Sequence, residues 1–131
     1  MWEFFKKLLG SNSPRRASFK GVDWLMVEGQ WRTIESLSVS NQQADGKQAI
    51  IQADTLIDSI MKQAMIPGSN FGDRLRSLKT QISPSVYRNL WQAHIKRNEL
   101  VHETGSHVEN WEKERYLGSF KTAISHFRGM R

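Results

Sequence analysis

Apolar residues return every three or four positions through most of this chain, the spacing that repeats one face of an α-helix. Trp24, Val27, Trp31, Ile34 and Leu37 keep that period and predict a helix over 23–39, with Asp23 as its N-cap. Asn41 to Gly46 reads as a polar break. Ala49, Ile50, Ala53, Leu56, Ile57, Ile60, Met61 and Ala64 predict a second helix over 47–66, stopped by Pro67-Gly68. Phe71, Leu75, Leu78 and Ile82 predict a third over 71–82. Ser83 and Pro84 then form the N-cap and first position of a fourth, which reaches to 103 before Gly105 breaks it. The last helix is expected over 108–128 through Trp111, Tyr116, Leu117, Phe120, Ile124 and Phe127. No segment alternates with the period of a strand. The fold expected is all-α, an up-and-down bundle of four to five helices with short connections.

Residues 2–9 make a short amphipathic segment, and 11–20 read as a linker with Pro14 and the pair Arg15-Arg16. The division expected is therefore 1–21, segment and basic linker, and 22–131, the helical domain. A length of 131 residues suits one domain, and 38% hydrophobic content with five Trp and six Phe suits a packed core. With no cysteine, the sequence excludes a disulfide scaffold and a zinc–thiolate site, and it is compatible with a reducing compartment. Glu3, Lys6 and Lys7 interrupt the N-terminal apolar run, which does not read as a signal peptide. No apolar stretch approaches the ~20 residues of a membrane span, and a cytoplasmic location is expected.

The net charge of +6 is unevenly spread. Lys6, Lys7, Arg15, Arg16 and Lys20 face only Glu3 in the first twenty residues. Arg74, Arg76, Lys79, Arg88, Lys96 and Arg97 face only Asp73 over 71–97, and an acidic run from Glu99 to Glu114 follows. Basic stretches of this kind attract phosphates, or serve simply as solvated faces.

The fourth helix carries the chemistry. Its apolar stripe is read as Val86, Leu90 and Val101, with Trp91 and Ile95 beside it, and the same spacing passes through His94, Arg97 and Asn98. An unpaired buried polar group costs about 1–3 kcal/mol. These side chains must therefore pair internally, line a cleft, or meet a second chain.

The segment Arg97-Asn98-Glu99-Leu100-Val101-His102-Glu103 resembles the Arg-polar-gap-His motif of the HEPN (higher eukaryotes and prokaryotes nucleotide-binding) superfamily. That resemblance implies a helical bundle and, in ribonuclease members, metal-independent RNA cleavage that leaves 2′,3′-cyclic phosphate and 5′-OH ends. It implies Arg97, Asn98 and His102 as catalytic residues and no cofactor. Arg88, His94, Lys96, Arg74 and Arg76 would then extend the RNA path. Arg88-Asn89 with His94 satisfies the same spacing and is the alternative pair. Arg97 and His102 are separated by about 140° around a straight helix, whereas Asn98 and His102 share a face. A site completed by two copies suits that geometry, and the resemblance implies a homodimer. Asp54, Asp58 and Lys62 of the second helix fall where family members carry an acidic residue and a lysine facing the motif. Asp58 and Lys62 read equally well as a surface pair.

The resemblance also implies an antitoxin or nucleotidyltransferase partner. Thr104 stands where the tyrosine modified in some such systems would be, and Glu99 and Glu103 flank the motif with negative charge. The sequence is compatible with three functions. One is an endoribonuclease of toxin or defence type. The second is a non-catalytic module that binds RNA, a nucleotide or a protein. The third is a peripheral membrane or assembly protein acting through Trp2, Phe4, Phe5, Leu8 and Leu9 with Lys6 and Lys7.

Overall fold

Capping interactions set where the helices begin. Asp23 accepts a hydrogen bond from the Met26 backbone N–H and opens α1 (Trp24–Ser38). Asn70 does the same from the Asp73 N–H for α3 (Phe71–Ser77). Glu109 and Glu112 cap each other's backbone in a reciprocal box that opens α5 (Asn110–Arg128). Pro84 is the first residue of α4 (Pro84–His102), where its missing N–H costs nothing. The remaining helix, α2 (Gln43–Gln63), packs against each of the other four. The computed structural model describes residues 16–131, and these contain five helices and no strand. Expectations for residues 1–9 and for Arg15 lie outside the described residues.

Two boundaries differ from the periodicity by four residues or more. α2 starts at Gln43, four residues before the expected 47, because Gly46 is buried where α5 begins. A Cβ at Gly46 would meet the Lys113 side chain at 3.2 Å and that of Val108 at 3.4 Å. The expected polar break is thus a helical turn whose glycine admits a neighbour. α3 stops at Ser77, not 82. The chain continues in tight turns, with the Leu78 N–H on the Leu75 carbonyl and the Gln81 N–H on that of Leu78. Leu78 and Ile82 stay buried, so the apolar spacing outlasts the helix.

The stripe of α4 is also displaced. Val86, Leu90, Ala93 and Leu100 are buried, whereas Ile95 and Val101, expected on the stripe or beside it, are exposed. At the other end, the packed body reaches further back than position 22. Phe19 is 0% exposed and stacks on Phe127 at 4.6 Å between ring centroids, and its N–H donates to the Met130 carbonyl. Replacing Phe19 with alanine should cost about 3–5 kcal/mol of unfolding free energy. Urea denaturation measures this, and a loss below about 1 kcal/mol would remove Phe19 from the core.

α2 ends in a paired-turn stop. The Met65 N–H donates to the Lys62 carbonyl and the Ile66 N–H to that of Met61, each at 3.0 Å. Met65 occupies the left-handed position at φ 61°, where glycine is favoured, and is 85% exposed. Met65→Gly should therefore stabilise the protein by about 0.5–1 kcal/mol. A lowered melting temperature would contradict the assignment.

Candidate functional site

An acid on the apolar face of α2 organises the site. Asp54 lies four residues after Ile50 and three before Ile57, both fully buried, and is itself only 3% exposed. An isolated carboxylate there would be costly, so it needs partners. α4 supplies them. His94 Nδ1 lies 2.7 Å from Asp54 Oδ2, and Arg97 Nε lies 3.5 Å from Oδ1. Burial pushes the Asp54 carboxyl above its ordinary value. The His94 hydrogen bond and the charges of His94 and Arg97 oppose that rise, and Asp58 adds to it.

Asn98 ties the cluster together. Arg97 Nη1 donates to Asn98 Oδ1 at 2.9 Å, which turns the amide nitrogen toward His94 Nε2 at 3.5 Å. In the neutral imidazole that donates from Nδ1 to Asp54, Nε2 keeps its lone pair, and the Asn98 amide nitrogen faces it. Phe71, the first residue of α3, fixes the imidazole plane by stacking on it at 3.9 Å with 3° between the rings. Trp91 meets His94 edge-on at 6.1 Å. Arg97 Nε is buried without a hydrogen-bond partner among the described residues, so the guanidinium is incompletely satisfied.

These groups form the floor of an open cleft of about 660 Å³ between α2, α3 and α4. Its cations are only partly available. Arg74 is buried, grips both oxygens of Asp58 at 2.9 and 3.3 Å, and donates to the Gly68 carbonyl at 2.7 Å. That arrangement anchors the loop before α3 and leaves Arg74 committed within the protein. Lys62 is exposed and lies 3.4 Å from Asp58. Arg76 is exposed, paired with Asp73 at 3.0 Å, and covers the Trp91 ring at 5.1 Å.

The remaining sequence candidates lie elsewhere. His102 is exposed, is the last residue of α4, and does not line the cleft. Arg88 is exposed on α4 and likewise does not line it. Lys96 faces the opposite side. It is 8% exposed and held by Glu112 at 3.1 Å and Glu99 at 3.5 Å. Of the candidates, His94, Arg97 and Asn98 are brought together, and Asp58, Lys62, Arg74 and Arg76 surround them. The sequence places Asp54 with Asp58 and Lys62 opposite the motif but does not single it out as the centre, and it gives Phe71 and Trp91 no role in the site. An acid between Ile50 and Ile57 was the available signal for Asp54.

Among the described residues, no three His, Asp or Glu side chains stand together in a metal-binding arrangement. No described helix is long and apolar enough to cross a membrane. No protein-family model, curated protein or solved structure matches the chain.

The two acids differ in how they respond to pH. Burial alone would raise the Glu112 carboxyl, but the Glu109 N–H and Lys96 outweigh it and hold the carboxyl below 4.5. Its stabilising effect is complete above that value and is lost as pH falls through the lower folded value. Asp54, raised above 3.8, has the opposite sign: between 3.8 and its folded value, stability rises as pH falls. Glu112→Gln should therefore flatten the acid loss of the urea midpoint between about pH 6 and about pH 3, and Asp54→Asn should steepen it. Profiles parallel to wild type would contradict both assignments.

Proposed function

We propose that this protein is a HEPN-like, metal-independent endoribonuclease. The observation that carries the reading is the 2.7 Å contact of His94 with buried Asp54, beside Arg97 and Asn98 at the floor of a cleft. Asp54 holds the imidazole with Nε2 as the basic nitrogen, the requirement for a general base. Arg97 supplies charge for a phosphate, and Asn98 orients both neighbours.

The reaction follows from those roles. His94 Nε2 takes the proton of a ribose 2′-OH as that oxygen attacks the adjacent phosphorus. The bond from phosphorus to the 5′-oxygen breaks, leaving a 2′,3′-cyclic phosphate and a 5′-oxygen that requires a proton. In a homodimer joined along α4, His102 of the partner subunit is the acid that delivers it. Its exposure, and its place one turn beyond Asn98, fit that role.

A second reading is a non-catalytic binding module for RNA or a nucleotide. It is favoured by the enclosure of His94, whose side chain is only 12% exposed beneath Phe71. Incubation with total RNA in excess chelator separates the two. Wild type should release cyclic-phosphate ends, and His94→Ala and Arg97→Ala should each lose at least about 100-fold in rate. Mixing inactive His94→Ala and His102→Ala subunits should restore part of the activity if the site is shared. RNA retention without cleavage supports the binding module. Full activity of His94→Ala overturns the proposed base.

A further inference from the structure

The rim of the cleft carries an aromatic surface that the chemistry above does not use. Trp91 sits on α4 one turn before His94 and is half-buried. Tyr87, a turn earlier, meets it edge-on at 6.3 Å, while Arg76 reaches over its ring from α3. The indole fits there because Gly72 has no side chain: a Cβ would come within 3.0 Å of the indole Cη2. Among the described residues the Arg76 guanidinium pairs only with Asp73, three residues earlier and itself at the surface, a weak hold from which it can swing off the ring. Phe71 is not equivalent, because it is buried and its face is already taken by His94.

We infer that Trp91 and Arg76 form a nucleobase subsite that takes an unpaired base. This deepens the ribonuclease reading and rests on it for the neighbouring chemistry. Every base offers a π-face to an indole and to a guanidinium, so one base can enter between Trp91 and Arg76. Bases in a duplex are already stacked on each other and cannot enter without being extruded. The Trp91 and His94 rings are edge-on neighbours at 6.1 Å, so a base stacked on the indole would be held one nucleotide's reach from the imidazole, where a 2′-OH is needed. Recognition by stacking predicts little discrimination among the four bases and strong discrimination between single and double strands.

The test separates binding from cleavage by using a fluorescent, mixed-sequence 2′-deoxy oligomer, which lacks the nucleophile. Wild type should bind the single strand at least about tenfold more tightly than its blunt duplex. Trp91→Ala should weaken single-strand binding about tenfold, and Trp91→Phe should stay within about threefold of wild type. Trp91→Leu keeps apolar volume without a π-face and serves as the second variant if the alanine protein does not fold. Single-strand binding by Trp91→Leu at wild-type strength, or equal affinity for duplex, overturns the subsite. RNA cleavage by Trp91→Leu at wild-type KM removes the subsite and leaves the nuclease. Trp91-dependent single-strand binding by a wild type that cleaves no RNA does the reverse.

Discussion

A carboxylate inside the apolar face of α2 is the constraint around which this molecule is arranged. Asp54 cannot lie between Ile50 and Ile57 without compensation, and His94 and Arg97 supply it from α4. The same contacts fix the register of α4 against α2 and bring Asn98 into line. α3 is drawn into the arrangement through Phe71 on the imidazole and Arg74 on Asp58. The polar centre thus orders three helices, while aliphatic packing supplies most of the cohesion. Removing one member of such a network leaves the others unpaired in a partly dry setting, so its members are not independent.

α4 serves two environments with adjacent residues. Arg97 and Asn98 turn to α2 and the cleft, while Lys96 turns to α5 and is held by Glu112. Three consecutive hydrophilic side chains therefore have separate uses, and the positive run over 71–97 is less of a surface charge than its composition implies. Arg74 and Lys96 neutralise carboxylates inside the protein. The cleft retains Arg97 at its floor and the exposed Arg76 and Lys62 around it. This is a modest local field, better suited to holding one phosphate than to tracking a long backbone.

Much of the fold was legible because helical periodicity is a local property. All five helices lie where apolar spacing puts them, and α4 begins at the expected Pro84. The early start of α2 was hidden because only a neighbour explains the helical Gly46. The short α3 was hidden because turns can bury Leu78 and Ile82 as well as a helix does. The candidate site was legible in part for the same reason. Helical spacing grouped His94, Arg97 and Asn98 as polar breaks in an apolar stripe, and His94 does lie against Asn98. The motif, read forward along the chain, paired Arg97 and Asn98 instead with His102, which stands apart from the cleft. The partner of His94 is forty residues away on another helix, a relation no local spacing contains.

The stack of Phe19 on Phe127 has a consequence for how the chain folds. It joins segments near the two ends of the described chain, and the Arg128–Glu28 contact, spanning one hundred residues, reinforces the same closure. Neighbouring helices such as α1 with α2 and α4 with α5 can zip together over short loops. The clasp closes the longest loop of the described chain, so its entropic cost is least once those pairs have docked. Loosening either end of the described chain therefore disturbs the other.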